Sequence, residues 1–176
     1  MTAAIANPTF IADTPPAPAA DDRTVRHGTF VLERTYRQSP QVVFDAWKSR
    51  EAKLVWFANQ IDFLQSVTTY ELDFRVGGRE YLDGLLSRGR RFEYDSTYAD
   101  IVDGRRLVAG YDVRVDGVRL STSVMTVEFE PSAGGGTHLI LTEQGAFFDG
   151  IDSNSERVKG ADDMLTEFDR YMDTMR

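Results

Sequence analysis

Residues 153–176 read SNSERVKGADDMLTEFDRYMDTMR, and no other segment of the chain constrains its architecture as tightly. Val158, Ala161, Leu165, Phe168, Met172 and Met175 recur at alternating steps of three and four, while Glu156, Arg157, Asp163, Asp169 and Arg170 fall elsewhere on the wheel. The pattern is one long helix with a single apolar stripe, and such a stripe has to be buried. Ser153 and Glu156 stand at capping-box spacing, with Ser155 a rival N-cap, so the helix start is specified locally.

Upstream, from about Phe30 to Phe148, strand-like alternation and short turns dominate. Thr29 to Tyr36 reads as a first strand. Ser39 then offers an N-cap, and Pro40 suits the first helical position of a short helix through Trp47. Ser49 caps a second short helix carrying Ala52, Leu54, Val55 and Trp56, and Asn59 to Thr68 reads as mixed loop. From Thr69 the period switches to two, with Tyr70, Leu72, Phe74 and Val76 alternating with polar residues up to Gly77-Gly78. A two-residue turn there predicts the pairs Val76–Arg79, Arg75–Glu80 and Phe74–Tyr81, with opposite charges on one face and aromatics on the other.

Asp83 to Arg90 reads as a flexible stretch, and Arg88, Arg90 and Arg91 around Gly89 as a solvated loop rather than an anion site. A strand over Arg91 to Tyr98 follows. Asp103-Gly104 and Asp116-Gly117 mark two more turns, the second joining Leu107–Val115 to Val118–Glu130. Val118 and Leu120 differ in parity from Met125, Val127 and Phe129, which predicts a bulge near Ser121 to Val124. Thr137 to Gln144 is the last strand. The expected fold is α+β: a curved antiparallel sheet of about seven strands around the C-terminal helix, with two short helices after the first strand.

With 176 residues, 41% of them apolar, the chain builds one ordinary core. Residues 1–27, where Pro8, Pro15, Pro16 and Pro18 interrupt any periodicity, read as a disordered tail, and 28–176 as one domain. Neither a secretory signal nor a membrane span is expected, and the cytoplasm is the default location. The absence of cysteine excludes disulfides and thiolate chemistry. An excess of 28 acidic over 20 basic residues argues against nucleic acid as a partner. His27 and His138 lack ligand-spaced companions, and Gly134-Gly135-Gly136 precedes a strand rather than a helix, so neither a metal nor another cofactor is expected.

The element order resembles the START-like (helix-grip, SRPBCC) superfamily, and within it the activator of heat shock protein 90 ATPase homologues and polyketide cyclase-like proteins. The resemblance rests on residues 30–36 (FVLERTY), 43–47 (VFDAW) and 73–79 (DFRVGGR), then on 98–102 (YADIV), 126–130 (TVEFE) and 141–147 (LTEQGAF). It implies a cavity between the sheet and the last helix. Many relatives carry Gly-Trp at the opening of that helix where this chain has Gly160-Ala161, so no aromatic lid is implied here.

In such a cavity, parity makes Phe74, Tyr81, Phe92, Tyr94, Tyr98 and Tyr111 wall residues. Trp56 and Phe147, with Phe148, fall near the mouth, and Leu165, Phe168 and Met172 come from the helix. Taken singly, each of these residues reads first as core filling and only second as a cavity wall. Glu143 continues the parity of Leu139 and Leu141; it is either a desolvated carboxyl facing the ligand or an ion-pair partner of an arginine such as Arg106. The expected partner is a hydrophobic or aromatic small molecule. A cyclase-like activity by analogy, drawing on Tyr94, Tyr98 or Glu143, leaves enzyme status open. The alternative is an interaction module that modulates a chaperone ATPase. The residue pattern also leaves a homodimer open.

Overall fold

The computed structural model describes residues 23–58 and 64–175; of the tail expected over residues 1–27, residues 1–22 lie outside the described residues, while Val25, Arg26 and His27 belong to the first strand. Seven strands form one antiparallel sheet: β1 (Val25–Tyr36), β2 (Leu64–Leu72), β3 (Arg79–Leu86), β4 (Arg91–Val102), β5 (Arg106–Val115), β6 (Val118–Pro131) and β7 (Thr137–Phe148). Their spatial order is β1-β7-β6-β5-β4-β3-β2. The chain therefore starts at one edge and re-enters at the other, and α1 (Pro40–Lys48) and α2 (Arg50–Lys53) make the crossing. The long helix α3 (Asn154–Thr174) lies against the inner face, in the expected helix-grip arrangement.

Local chemistry accounts for the helix starts. Pro40 opens α1, although the Ser39 hydroxyl itself makes no capping bond. Ser49 caps α2 by accepting from the Ala52 amide at 3.2 Å. A π-helical turn over Leu54–Ala58 continues α2, and Trp56, Phe57 and Ala58 are all buried there. Ser153 caps α3 through the Glu156 amide, and the Glu156 carboxylate accepts from the same hydroxyl at 2.8 Å. The C-terminal end of α3 is held by Gln38, whose amide donates to the carbonyls of Met172 and Met175.

The core is continuous from α1 through α3 to the sheet. Trp47, Trp56 and Phe168 pack with ring centroids 4.8–5.6 Å apart, and Phe129, Phe44 and Tyr36 extend the cluster by edge-on contacts. On the flank, Arg34 of β1 reaches Asp162 and Asp169 of α3, and Tyr36 donates to Asp169 at 2.7 Å.

Four local readings are corrected. Gly77-Gly78 is not a two-residue hairpin turn: β2 ends at Leu72, and the pairs are Leu72–Glu80 and Glu71–Tyr81. Gly77 and Gly78 instead bond to the Tyr98 backbone of β4, and a Cβ at Gly78 would fall 2.1 Å from the Asp73 carbonyl oxygen. The longer loop inverts the parity of β3, burying Glu80 and turning Tyr81 outward. Arg75 pairs with Asp73 at 2.9 Å, not with Glu80.

Leu64–Thr68, read as loop, belongs to β2, because irregularities around Gln65 and Thr68 break its alternation. Residues 59–63 lie outside the described residues. The β6 bulge falls at Leu120, one residue before the expected window, so that Leu120 and Ser121 are both buried. Finally, the buried stripe of α3 begins at Arg157 rather than Val158, and Met175 is exposed.

The three arginines near Gly89 flank a short turn. Arg90 pairs with Asp116 at 2.8 Å and Arg91 with Asp83 at 3.0 Å. Among the described residues, no helix is long and apolar enough to cross a membrane.

Candidate functional site

Antiparallel register lines up the inner-face side chains of β4 to β7 in rows. One row runs Tyr98–Ala109–Met125–Glu143, the next Ser96–Tyr111–Ser123–Gly145, and a third Tyr94–Val113–Ser121–Phe147. Towards the other end lies the row Leu107–Val127–Leu141, followed by the pair Phe129–Leu139. The interior is thus divided. Its apolar end, where Phe168 meets Trp47 and Trp56, is sealed: Leu107, Val127, Leu139, Leu141, Leu165 and Phe168 have no accessible surface. The other end, under Arg157, is lined by small and polar groups and keeps residual accessibility: 9% at Tyr94, 8% at Tyr111, and 7% at Val113, Met125 and Arg157.

Arg157 organises that second end. It donates to the Tyr111 hydroxyl at 2.8 Å, to Ser121 at 2.6 Å, to Asp152 at 2.6 Å and to Glu143 at 3.4 Å. Its guanidinium also faces the rings of Tyr111 and Phe147 at 5.5 and 5.7 Å. Burial works against its charge, but the oxygens of Tyr111, Asp152 and Glu143 outweigh this and hold it firmly cationic. Glu143 is pushed up from the ordinary carboxylate range by burial, an effect that Arg157 opposes but does not cancel. Burial, then the neighbouring Glu80 carboxylate, raises the Tyr94 phenol.

A second ionic cluster joins α2 to the sheet. The Lys53 ammonium bonds both oxygens of Glu80 at 2.8 and 2.7 Å, and Glu80 also accepts from Tyr70 at 2.8 Å and Tyr98 at 2.6 Å. Lys53 lies 5.2–5.5 Å from the rings of Trp47, Trp56 and Phe57. Every strong acceptor position of Glu80 is used, so this cluster is a structural clasp between α2 and β3.

The residues expected to line a cavity are divided by this geometry. Tyr94, Tyr98, Tyr111, Glu143 and Phe147 lie on the inner face, in the three polar rows. Trp56, Leu165, Phe168 and Met172 are buried core residues; Trp56 and Phe168 share the sealed aromatic pack, and the Trp56 indole donates to the Ala46 carbonyl. Phe92 is buried opposite Val115. Phe74 leans on Phe44 and Tyr98 from the loop after β2. Tyr81 is the clear correction: inverted parity sets it on the outer face, donating to Glu93 at 3.0 Å with Arg79 stacked 4.1 Å above its ring.

Phe148, expected at the mouth, lines a surface groove with Val25 and Val118 instead. The partner of Glu143 is Arg157, while Arg106 pairs with Asp100 at 2.7 Å. His138 sits between Glu33 and Glu130 on the outer surface.

Sequence reasoning missed Arg157, Asp152, Lys53 and Glu80. One signal was present for Arg157, which stands four residues before Ala161 and eight before Leu165, in line with the buried stripe.

The geometry agrees with what comparison finds. The family model for Activator of Hsp90 ATPase homolog 1-like protein matches residues 37–173. An uncharacterized protein from Rhizobium leguminosarum is 35% identical and superposes with a TM-score of 0.81, over 86% of this chain and 98% of that one. A protein from Rhizobium loti is 37% identical, TM-score 0.77, over 84% and 99%. The AHSA1 protein from Silicibacter pomeroyi shares the fold at 17% identity, TM-score 0.65, over 85% and 100%. No curated protein matches. The extent of the family match, together with the shared helix-on-sheet architecture, establishes that the chain belongs to the Activator of Hsp90 ATPase homolog 1-like family of the START-like superfamily.

Proposed function

We propose that the protein binds a hydrophobic or aromatic small molecule between α3 and the inner face of β4 to β7. The observation that carries this reading is the asymmetry of the interior. At one end Leu107, Val127, Leu139, Leu141, Leu165 and Phe168 are fully enclosed, whereas the end under Arg157 keeps accessible surface on five residues from three strands and α3. That combination of apolar walls with a few convergent polar groups is typical of ligand sites. Ala161, small and facing inward from α3, adds no bulk there. Enclosure alone explains the arrangement. Cyclase-like chemistry at Glu143 or Tyr94 would need a bound substrate to place its reacting atoms.

Native mass spectrometry of protein purified from its own host, paired with a thermal-shift screen of aromatic compounds, tests the reading. A retained small molecule, or a compound that raises the melting temperature of the wild type but not of Ala161→Phe, is the expected result. A compound that raises both equally points to a site elsewhere, and no retained molecule and no shift across the screen refute enclosure.

A further inference from the structure

Two hydroxyls on the inner face have no hydrogen-bond partner among the described residues. Ser96 Oγ on β4 and Ser123 Oγ on β6 are buried, at 1% and 2% residue exposure, yet unbonded. Ser96 lies beside Tyr94, and Ser123 beside Glu143, close enough to influence how those groups titrate but outside hydrogen-bond geometry. They belong to one row: Ser96 pairs with Tyr111, and Tyr111 with Ser123. Two inter-strand spacings set them about 10 Å apart with the Tyr111 ring between them. Leaving a buried hydroxyl unpaired is unfavourable, so a pair of them facing the accessible end of the interior points to oxygens supplied by something else.

The charges around this row define what that something is. Both buried cations among the described residues already have carboxylate counter-charges, Lys53 in Glu80 and Arg157 in Asp152 and Glu143. Among the described residues the buried carboxylates Glu80, Asp152 and Glu143 outnumber the buried cations Lys53 and Arg157. An entering anion would meet no unpaired positive charge and would lose its hydration without compensation. Hydroxyls, by contrast, serve equally as donors and acceptors and suit an uncharged oxygen.

We infer that the ligand is a neutral ring compound bearing hydroxyl or carbonyl oxygens, gripped by Ser96 and Ser123 on either side of Tyr111, and that carboxylates are excluded. This rests on the enclosure reading above and adds to it the chemical class and the residues that select it. It also carries a signature opposite to that of a structural serine. Replacing either hydroxyl by hydrogen leaves the empty protein as stable as before or more so, while weakening the complex.

Isothermal titration with three matched probes, naphthalene, 2,6-dihydroxynaphthalene and naphthalene-2,6-dicarboxylate, tests this in the full chain, alongside Ser96→Ala, Ser123→Ala and the double variant. The dihydroxy compound should bind the wild type more tightly than naphthalene, and roughly tenfold more weakly to the double variant. The dicarboxylate should not bind, and the ligand-free variants should melt no lower than the wild type. Dicarboxylate binding as tight as that of the diol overturns the inference, as does diol affinity unchanged in the double variant or a ligand-free variant that melts markedly lower. If naphthalene binds and the hydroxyls make no difference, enclosure stands and only the selectivity fails. If none of the three binds, the inference fails, while enclosure itself is decided by the retained-molecule and thermal-shift results above.

Discussion

Arg157, near the start of α3, meets Glu143 on β7 at 3.4 Å across the interior, and that contact ties the long helix to the inner face of the sheet. Because Asp152 and Glu143 share the one guanidinium, its removal leaves two buried carboxylates uncompensated. Arg157→Met should cost about 3–5 kcal/mol at neutral pH, read by urea denaturation. A loss within about 0.5 kcal/mol, the range of an ordinary surface site, would show that the cluster does not hold α3 down.

Glu143→Gln separates charge from shape. Burial raises the folded-state pKa of this carboxyl, so between the ordinary glutamate range and that raised value the folded protein binds the extra proton. The contribution of Glu143 to stability therefore falls as pH rises through the window, and is least unfavourable on the acid side. The stability of Glu143→Gln relative to wild type should climb with pH across it, measured by denaturation at several pH values. A difference that falls with pH contradicts a desolvated carboxyl.

Lys53 and Glu80 form the most deeply enclosed ion pair among the described residues. Lys53→Met strands the carboxylate among Tyr70 and Tyr98 and should cost about 3–5 kcal/mol, whereas adding Glu80→Gln should recover a large share of the loss. A double-mutant cycle measures this coupling. Additive losses would mean that the two residues act independently.

Tyr36, Tyr70, Tyr94, Tyr98 and Tyr111 all have phenols raised above the ordinary tyrosine value, with burial the largest cause. In the unfolded chain they ionise near the ordinary value of about 10, so the stability they contribute is complete below that pH and is lost as pH rises beyond it. Alkaline titration followed by phenolate absorbance should show these tyrosines ionising only as circular dichroism reports unfolding. Their ionisation in a still-folded protein would place them in contact with solvent.

Gly28 of β1 lies directly beneath the first residue of α3: a Cβ there would fall 2.2 Å from Asn154 Oδ1 and 2.7 Å from Asn154 Cβ. Gly28→Ala should therefore lift the start of α3 and destabilise by about 1–3 kcal/mol. Unchanged stability, with amide-exchange protection of residues 157–161 intact, would show that the helix start shifts at no cost.

The helix, its cap, the β5–β6 turn and the order of elements were legible because each is governed by neighbours in the chain. A 3.6-residue stripe identifies a helix, Ser153 with Glu156 its start, and Asp116-Gly117 a turn in which both residues adopt positive φ. The inner positions of β4, β5 and β7, among them Tyr94, Tyr98, Tyr111 and Glu143, followed from period-two alternation once the strands were found.

What the chain could not disclose locally was register and pairing. The loop before Arg79 is six residues rather than two because Gly77 and Gly78 bond to Tyr98, some twenty residues onward, and that one long-range contact decides that Glu80 is buried and Tyr81 is not. Arg157 likewise looks like a solvent-facing charge until folding brings Tyr111, Ser121 and Glu143 beneath it from three separate strands. Periodicity tells which residues share a face. Whether a charged group on that face is tolerable depends on oxygens contributed by distant strands, and only folding brings those together.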